Sequence, residues 1–348
     1  MKHAFGTEFT VGVEEELMLV DPETHALAPV AERVLPAMDE PLAAHEAYAS
    51  QVELRSSPAP AAAEVADELG RLRAKAATAG ATLMGAGLHP AADHGDAPIV
   101  DAERYRRVSA AMRGLLGRTP ECALHVHVGM PDPDAAIRAF NGIRAHLPLL
   151  IGLAAGSPWW FGDDSGLASA RFFLTRSYPG RGVPTAFNDY QSYLESIERL
   201  SASGGPKDYT LLWWDVRPHP KLGTVELREM DVQASLDDTA AIAALVQGLA
   251  RVEAEEPAAG QPSRDAIGWS SFRAARDGLD AEIFDGGSLV PLREAARTQL
   301  ERLAGDPALE GIERILTDGN GADRQRAAHA RGGMPALLEQ LVAVTAAG

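Results

Sequence analysis

The chain has 348 residues, of which 46% are hydrophobic and 23% are charged, and its formal net charge is −17. This composition is typical of a soluble globular protein, and the acidic balance excludes nucleic acid or an anionic membrane as the main partner, because both require a basic surface. The single cysteine allows no disulfide within the chain, so we expect a cytoplasmic location. We expect neither a signal peptide nor a transmembrane helix, since no sufficiently long apolar run is present.

Hydrophobic periodicity predicts alternating strands and helices in the first part of the chain. The predicted strands are 8–20, 51–55, 82–87 and 122–129, and the predicted helices are 29–40, 61–79 and 104–116. The strongest of these signals is the helix at 61–79. Val65, Leu69, Leu72 and Ala76 recur there at helical spacing, and Gly80 terminates the pattern.

The rest of the chain is predicted to be mainly helical around one β-hairpin. The predicted helices are 134–146, 149–155 (separated from the first by Pro148), 188–202, 237–254, 269–279, 291–304, 308–317 and 322–345. Strands 211–217 and 224–229 form the hairpin, and 255–266 is a predicted loop tip. The stretch 156–186 is rich in Gly, Ser, Pro and aromatic residues, and its length indicates a functional loop, a candidate lid.

Three predicted strands alternate apolar residues with chemically active ones. The active side chains that share a face are Glu14 with Glu16, His125 with His127, and Glu226 with Arg228. Alternate side chains of a strand point to opposite faces, so these strands would give a sheet one apolar face and one face bearing carboxylates and imidazoles. A half-buried strand normally presents Lys, Thr or Ser to water. Clustered Glu and His indicate instead a cavity that holds divalent metal.

The candidate ligands in these strands and in the strand at 51–55 are Glu14, Glu16, Glu53, His127 and Glu226. A set dominated by carboxylates favours the hard ions Mg²⁺ or Mn²⁺ over Zn²⁺, and no third His or Cys lies at zinc-site spacing. Without metal, these carboxylates would repel one another and raise their own pKa values. For each glutamate taken alone, a solvated strand face is the alternative.

Three arginines could complement the carboxylates by binding phosphate or a substrate carboxylate. Arg228 shares a strand face with the last glutamate of the candidate set, Arg217 lies in WDVRP, and Arg171 ends the segment SGLASAR. The alternative for Arg217 is a salt bridge to Asp215 or to another carboxylate at a strand end. The alternative for Arg171 is a hydrogen bond that fixes its loop.

Other polar residues are predicted to be structural. His89 is expected to form a hydrogen bond at a strand end, His219 to lie in an exposed turn, and Cys122 to be a small buried residue rather than a nucleophile. The tryptophans are expected in the core or the wall of a pocket. Ser50 and Ser165 lack an adjacent base, which argues against a serine hydrolase.

Five motifs carry a family resemblance by their order and spacing: GVEEELMLVD, the segment from Glu46 to Glu53 that ends in SQVE, HVHVG, SGLASAR and WWDVRPHPKLGTVELREMD. Together they resemble the carboxylate–amine ligases of the glutamate–cysteine ligase type 2 family. The resemblance extends from about residue 8 to 250 and is weaker in the C-terminal helices. Neither GxGxxG after a strand nor GxxxxGK[ST] is present, so a Rossmann or P-loop nucleotide site is not expected.

The resemblance implies an α+β, glutamine-synthetase-like fold, in which a curved, mainly antiparallel sheet of about six strands forms a funnel with helices on its outer face. It implies one ligase domain over 1–348, with the catalytic sheet and its covering helices in 8–250 and a helical region in 267–348. The implied reaction is ATP-dependent amide formation through an acyl phosphate, with Mg²⁺ or Mn²⁺, between a small amino-acid-like carboxylic acid and an amine. A homodimer is the implied assembly.

The resemblance also implies roles for individual residues. The matching metal positions are Glu14, Glu16, Glu46, Glu53, His127 and Glu226. Arg228 matches an arginine near the transferred phosphoryl group, and with Glu53 and Glu226 it would form the catalytic set. Arg171, Arg217 and Arg228 would bind substrate or phosphate.

The chain departs from the family pattern outside the metal positions. GLHP at 87–90 replaces GTHP, and the loop 163–171 lacks an arginine and two tyrosines of the family loop. Ser270 stands where an asparagine is common. These changes favour an acid or amine other than glutamate and cysteine. Two alternatives stay open, a metal-dependent hydrolase of an amide or phosphate ester, and a non-catalytic nucleotide-binding protein with a degenerated site.

Overall fold

The computed structural model describes residues 3–206, 209–257, 260–303 and 305–348. Its strands are Val11–Val20 (β1), Ala43–His45 (β2), Gln51–Arg55 (β3), Thr82–Met84 (β4), Ala123–Gly129 (β5), Trp159–Trp160 (β6), Asp163–Asp164 (β7), Val216–His219 (β8), Thr224–Asp231 (β9), Glu282–Asp285 (β10) and Ser288–Pro291 (β11). Its α-helices are Ala31–Met38 (α1), Ala62–Thr78 (α2), Glu103–Met112 (α3), Pro133–Ala154 (α4), Ala170–Thr175 (α5), Tyr190–Ala202 (α6), Leu236–Glu255 (α7), Arg264–Asp277 (α8), Leu292–Arg302 (α9), Glu310–Asp318 (α10) and Gly321–Ala347 (α11). Residues 258–259 of the predicted loop and residue 304 of a predicted helix lie outside the described residues.

Within the described ranges, seven strands form one antiparallel sheet. Their order is β2-β3-β1-β5-β9-β8, and β4 pairs with the C-terminal end of β1. The expectation of a mainly antiparallel sheet is therefore confirmed, with one strand more than the six expected. The unpredicted strand β2 has only three half-buried residues, too few to show an alternating pattern.

The two faces of the sheet differ as the alternation in β1 predicts. Val11, Val13 and Leu17 point into the apolar core, where helices α2, α4 and α7 cover the sheet. Glu15 lies on this same face and is fully buried. Its carboxylate accepts hydrogen bonds from Nε and Nη2 of Arg73 in α2 at 2.8 and 2.6 Å, so the buried charge is paired.

Helix α4 continues through Pro148, and the predicted break there is wrong. The helix begins at the N-cap Asp132, whose side chain accepts a hydrogen bond from the Ala135 amide at 2.7 Å. Pro148 removes one intrahelical hydrogen bond. Residues 147–154 are all buried, and α4 packs against α7 and α8. Tertiary packing thus holds the helix together across the proline.

A second difference from the prediction is the β10–β11 hairpin in a region expected to be helical. Gly286 and Gly287 connect the two strands, with φ angles of 55° and 94°. Positive φ at both central residues is the requirement of the tightest hairpin turn, and glycine meets it without steric cost. The Gly-Gly dipeptide at 286–287 was the sequence signal from which this hairpin could have been predicted.

The segment 156–186, expected to be an irregular loop, contains the small β6–β7 hairpin and helix α5. Asp164 in β7 forms a two-bond ion pair with Arg326 of α11, at 2.8 and 2.9 Å. The Arg326 guanidinium lowers the pKa of Asp164. The tip of the segment is therefore fastened to the C-terminal helix.

One apolar core includes residues from the sheet, the covering helices and the C-terminal helices, for example Val13, Leu245 and Leu337. We propose on this basis that 1–348 forms one domain, with 267–348 as part of it. No helix among the described residues has both the length and the apolar character needed to cross a membrane.

Candidate functional site

The polar face of the sheet forms the floor of a funnel-shaped cavity of about 420 Å³. Strand register aligns the predicted side chains across it. Glu14 of β1 is opposite His125 of β5, and His127 is opposite Glu226 of β9. Because neighbouring strands are about 5 Å apart, residues distant in sequence become neighbours here.

The first candidate metal group consists of Glu14, His127 and Glu226, whose donor atoms all lie within 4.8 Å of one another. His127 Nε2 is 3.7 Å from Glu14 Oε1 and 3.9 Å from Glu226 Oε1. The other ring nitrogen, Nδ1, is within hydrogen-bond distance of Thr224 Oγ1, at 3.0 Å. Nε2 is buried and has no hydrogen-bond partner among the described residues. This arrangement is that of a histidine oriented for metal ligation by its second ring nitrogen.

The second candidate group is made only of carboxylates. Glu16, Glu46 and Glu53 place one oxygen each within 4.8 Å of the others. Burial and the charges of Glu14 and Glu46 raise the pKa of Glu53 to about 9, and burial and the charge of Glu46 raise that of Glu16 to about 8. The group therefore cannot ionise fully at neutral pH without a cation beside it.

His125, which was part of the alternating pattern but not of the predicted metal set, lies between the two groups. Its Nδ1 is 3.2 Å from Glu14 Oε2, and its Nε2 is 3.9 Å from Glu16 Oε1. Burial and the nearby Arg228 lower the pKa of His125 to about 3, so its ring is neutral. Burial opposes ionisation of Glu14, but hydrogen bonds from His125 and His127 and the charge of His127 keep its pKa below the ordinary range.

The β8–β9 side of the funnel carries paired arginines. Arg217 donates to Glu226 from Nε at 2.6 Å and from Nη2 at 3.2 Å, and its Nη1 donates to backbone carbonyls. Arg228 also pairs with Glu226. Burial opposes ionisation of Glu226, but Arg228 and Arg217 hold its pKa well below the usual value.

Arg217 forms a salt bridge, as its structural alternative predicted, but its partner is Glu226 of the neighbouring strand and not Asp215. Arg217 is opposite Glu226 in the β8–β9 register, which brings the two side chains together. Asp215 instead accepts two hydrogen bonds from Arg176, at 2.6 and 2.9 Å. The period-two pattern placed Arg217 and Asp215 on one face but could not identify their partners on other elements.

Arg171 lines the funnel, and it forms the predicted hydrogen bonds that fix its segment; its binding of substrate or phosphate stays a prediction. It lies in α5, and its Nη1 donates to the Glu229 carbonyl at 3.2 Å and to Asp231 Oδ1 at 3.4 Å. Asp231, which the sequence did not single out, accepts three further hydrogen bonds. Their donors are the Gly156 amide at 2.9 Å, Ser157 Oγ at 2.7 Å and Ser169 Oγ at 3.0 Å.

Gly87 explains part of how this buried carboxylate is accommodated. A Cβ atom at Gly87 would lie 2.5 Å from Cγ of Asp231. Only glycine therefore leaves room for Asp231 in its observed position. The first residue of the GLHP segment is thus a packing requirement of the site.

Two histidines were predicted to be structural, with different outcomes. The prediction for His219 as an exposed turn residue is wrong, because it is buried in β8, lines the funnel and lies 5.8 Å from His127 between ring centroids. Burial lowers the pKa of His219 to about 4. The prediction for His89 is confirmed, since its Nε2 is 2.8 Å from the His25 carbonyl oxygen. Cys122 is buried, and burial raises the pKa of its thiol, as expected for a residue that is not a nucleophile.

The three altered positions of the loop 163–171 lie outside the funnel lining. The funnel lining contributed by 156–186 consists of Arg171, Thr175, Tyr178 and Arg181. The altered residues are Asp163 in β7, Leu167 after it, and Ala170, which is buried at the start of α5. Arg171 is therefore the residue of this loop that lines the funnel.

The donor sets fit divalent cations. Glu16, Glu46 and Glu53 offer only oxygen, which suits hard ions, and the first group adds one imidazole nitrogen, which Mg²⁺ and Mn²⁺ sites tolerate. The buried Nε2 of His127 without a partner is the observation that fits a ligand best.

Comparison with known proteins adds independent findings. The family model described as glutamate-cysteine ligase family 2 matches residues 10–340. A relative in Rubrobacter xylanophilus is 40% identical over 99% of this chain and 100% of its own length. A Haloquadratum walsbyi protein named glutamate–cysteine ligase is 34% identical and covers 97% of this chain and 96% of its own.

Two solved structures resemble the fold. One is glutamate–cysteine ligase from Francisella tularensis in complex with AMP, with a TM-score of 0.71 and 13% identity, covering 98% of this chain and 89% of that one. The other is a bifunctional glutathione synthetase from Pasteurella multocida, with a TM-score of 0.71 and 15% identity, covering 97% of this chain and 52% of that one. At these identities the likeness concerns the fold, and it confirms the expected glutamine-synthetase-like architecture.

Proposed function

Because the chain belongs to glutamate–cysteine ligase family 2 and is therefore a ligase that forms a carbon–nitrogen bond, we propose that it joins a small carboxylic acid to an amine through an acyl phosphate, using ATP. The observation that supports this most directly is the pair of adjacent metal-type groups on one funnel floor, facing a wall of buried arginines. Phosphoryl transfer needs that combination, because it depends on positioning and charge neutralisation.

The proposed metal ligands are Glu14, His127 and Glu226 in one group and Glu16, Glu46 and Glu53 in the other. Bound Mg²⁺ or Mn²⁺ would neutralise the phosphate oxygens of ATP and of the transferred group. Thr224 would orient the imidazole of His127 through the contact at Nδ1.

The arginines act on the substrate side of the reaction. Arg228 has an Nε with no hydrogen-bond partner among the described residues, and it lines the funnel beside Glu226. We assign it to the charge that develops on the transferred phosphoryl oxygens. Arg217 holds Glu226 in place through two hydrogen bonds, so it supports the ligand geometry. A carboxylate does not react with an amine at neutral pH, and conversion to the acyl phosphate removes that obstacle.

An acyl phosphate hydrolyses unless water is kept away from it. Tyr178, Leu116 and Trp213 form an apolar and aromatic part of the funnel lining, next to the arginines. We assign to this part of the wall the exclusion of water while the amine attacks. Glutamate is the first acid to test, because the relatives' names include it, and the amine is to be identified by screening.

The test is a substrate screen with ATP and Mg²⁺. With mixtures of amino acids and other amines, ATP should be converted to ADP and phosphate. Mass spectrometry should find a product whose mass is the sum of its two reactants minus one water. Glu226→Gln and Glu53→Gln should abolish this turnover. Glu195→Gln, on the exposed surface of α6, is the matched control and should retain it. Unchanged turnover in the two funnel variants would exclude the proposed mechanism.

The same screen separates the alternatives. Turnover of an amide or phosphate ester without ATP would identify a hydrolase. Tight ATP binding without ADP release across the whole panel would identify a nucleotide-binding protein without activity. The altered loop 163–171 was the support for the second alternative, and its altered residues Asp163, Leu167 and Ala170 do not line the funnel.

A further inference from the structure

Glu121 is a carboxylate of the funnel that belongs to neither metal-type group. In the described part of the chain, six carboxylates line the funnel. The five that belong to the two metal-type groups are Glu14, Glu16, Glu46, Glu53 and Glu226. Neither the sequence motifs nor the family resemblance assigned a role to the sixth, Glu121. The proposed reaction leaves one task open for such a group, which is to take a proton from the amine.

The backbone of Glu121 is fixed by the sheet. The residue directly precedes Cys122 and strand β5, and it forms an isolated antiparallel bridge with Leu88. Nε2 of Gln51 in β3 donates to the Glu121 carbonyl oxygen at 3.2 Å, and the Cys122 amide donates to the Gly87 carbonyl oxygen at 2.9 Å. The side chain therefore projects from a rigid position, which a catalytic group requires.

The carboxylate of Glu121 is held from behind by an arginine. Nη2 of Arg118 donates to Glu121 Oε1 at 3.1 Å, and the same nitrogen donates to the Leu174 carbonyl oxygen at 3.0 Å. Arg118 itself does not line the funnel, whereas Glu121 does. Tyr178, which also lines the funnel, is a second hydrogen-bonding neighbour of the carboxylate. Arg118 therefore orients the carboxylate and leaves it facing the cavity.

The charged neighbours of Glu121 leave it as the base of this part of the funnel. The titratable and charged groups that face its carboxylate are Arg118, Arg171, Arg181, Tyr48 and Tyr178. Burial raises the pKa of Glu121, and the charges of Arg118 and Arg171 oppose this rise. Arginine stays protonated, and burial raises the pKa values of both tyrosines further above neutrality. Glu121 is therefore the member of this set that can accept a proton near neutral pH.

The order of groups along the sheet puts Glu121 on the side from which an amine can attack. His127, in the first metal-type group, lies six residues after Glu121, about 20 Å along the strand direction. Arg228 lies between them, since residues 227–230 of β9 are opposite residues 124–126 of β5. The proposed function puts the phosphoryl group at Arg228 and the metal-type groups. An amine that attacks the acyl carbon must approach from the side away from that phosphate, which is the side of Glu121.

The histidines of the funnel are less suited to this task. His125 lies between the metal-type groups, and His127 belongs to one of them. Nδ1 of His219 accepts a hydrogen bond from the Leu222 amide at 3.2 Å, so the other ring nitrogen carries the hydrogen and donates. His45 lies in β2, at the opposite edge of the sheet from β9 and its neighbour β8.

We propose that Glu121 accepts the proton that the amine must lose before it attacks the acyl phosphate. This inference rests on the proposed function, which supplies the acyl phosphate. The amine is mostly protonated at neutral pH, and an ammonium group has no lone pair with which to attack. Transfer of one proton to the Glu121 carboxylate frees the lone pair. The nitrogen then forms its bond to the acyl carbon as the bond from that carbon to the phosphate oxygen breaks, and the second surplus proton leaves with the phosphate.

Hydroxylamine separates the removal of this proton from the other steps. Because it is mostly unprotonated at neutral pH, it attacks an acyl phosphate without a base and gives a hydroxamate. The full-length protein is assayed with Mg²⁺, ATP and the acid and amine that the substrate screen identifies, and in parallel with hydroxylamine in place of the amine. Glu121→Gln should lower kcat for amide formation by about 100- to 10,000-fold and keep hydroxamate formation within a few-fold of wild type.

The pH dependence adds a readout that a purely structural role of Glu121 would not change. The deficit of Glu121→Gln in amide formation should shrink as the pH rises toward the pKa of the amine, because the free amine needs no proton acceptor. A variant with a damaged fold would show the same deficit at every pH and with either nucleophile.

Arg118→Gln is the matched control for the lost ion pair. It breaks the same contact as Glu121→Gln but leaves the carboxylate in the funnel. It should lower the melting temperature at least as much and keep the ratio of amide to hydroxamate formation within a few-fold of wild type. Glu195→Gln, on the exposed surface of α6, should change neither rate.

Three results would overturn the inference and leave the proposed function standing. Glu121→Gln could retain amide formation, it could lose amide and hydroxamate formation equally, or Arg118→Gln could lower the ratio as strongly as Glu121→Gln. If the wild-type chain releases no ADP with any acid, whether the amine or hydroxylamine is present, the proposed function fails and the assignment of Glu121 fails with it.

Discussion

The two sides of the funnel differ in whether their buried carboxylates are paired with arginines. On the side of β8 and β9, the carboxylates of Asp215 and Glu226 each accept two hydrogen bonds from one arginine. On the side of β1 and β3, Glu16, Glu46 and Glu53 converge on one another. Among the described residues, the arginine that pairs with this group is the half-exposed Arg55, at 3.6 Å from Glu53.

The carboxylates of the β8–β9 side are preorganised by their arginines, whereas those of the β1–β3 side depend on a bound cation. A buried carboxylate that is paired and hydrogen-bonded is held in position before any cation binds. A group of unpaired buried carboxylates raises its own pKa values and destabilises the ionised fold until a cation arrives. We therefore expect removal of a carboxylate to have opposite effects on stability on the two sides.

The largest effect is expected on the paired side, at Asp231. Asp231→Ala removes the carboxylate that pairs with the buried Arg171 and leaves the amide of Gly156 without its acceptor, so it should lower the free energy of unfolding by about 3–5 kcal/mol. Urea denaturation measures the change. Asp231→Asn, which keeps the shape and an acceptor oxygen, should cost less. Equal stability of all three proteins would show that this side is not organised by its pairs.

Divalent cations should act on the unpaired side. Mg²⁺ or Mn²⁺ at 100 times its dissociation constant should stabilise the fold by about 2.7 kcal/mol, because only the folded chain assembles the two groups. Thermal melting with increasing metal concentration gives the effect. It should be much smaller in a Glu16→Gln, Glu53→Gln double variant, and an undiminished shift there would place the metal elsewhere.

The carboxylates of the unpaired side also determine how the stability of the metal-free protein depends on pH. The folded-state pKa values of Glu16 and Glu53 are raised to about 8 and about 9, whereas the unfolded chain has ordinary ones. The folded state therefore binds more protons than the unfolded chain, and stability falls as pH rises from 7 to 9, by about 2 kcal/mol per pH unit for the two groups together. His127, whose pKa is also raised, changes stability in the same direction.

The lowered pKa values of His125 and His219 fall below this pH window. Chemical denaturation at pH 7, 8 and 9 in the presence of EDTA, repeated with Mg²⁺, gives the measurement. Saturation with Mg²⁺ should flatten the slope. A metal-free stability that increases toward pH 9 would contradict the assigned directions.

The smallest effect is expected for one carboxylate of the unpaired side. Glu53→Gln should stabilise the metal-free protein by about 1–2 kcal/mol at pH 8, because it removes a charge that the fold resists burying. The same variant should lose ligase turnover. The expected result is a Glu53→Gln variant that is more stable than the metal-free wild-type protein but inactive, in contrast to the destabilised Asp231→Ala variant. A destabilised Glu53→Gln would remove the distinction between the two sides.

The sequence was sufficient to predict the floor of the funnel. Alternation places Glu14 with Glu16 and His125 with His127 on one face, because the side-chain period of a strand is two. Glu46 came from the resemblance alone, since it lies after the short strand β2, where no period is visible. The same alternation could not tell how many cations the carboxylates hold.

The wall of the funnel was beyond sequence reasoning for a different reason. Partners there depend on which strands are neighbours and on their register, as the Arg217–Glu226 pair illustrates. Asp231 and Arg181 gave no signal, because a buried acid at a strand end and an arginine between helices are ordinary in a sequence. His219 was misread because a Pro-flanked histidine suggests a turn, whereas tertiary packing places it in β8.

The run of three glutamates in β1 carries one more consequence. Glu14 and Glu16 face the funnel, and Glu15 between them is bound to Arg73 on the core side. A slip of β1 by one residue would exchange these faces, burying two carboxylates in the apolar layer and leaving the Arg73 guanidinium without its counterion. The Glu15–Arg73 pair therefore allows only one register of β1. A misaligned β1 cannot give a folded protein whose funnel floor carries the wrong side chains.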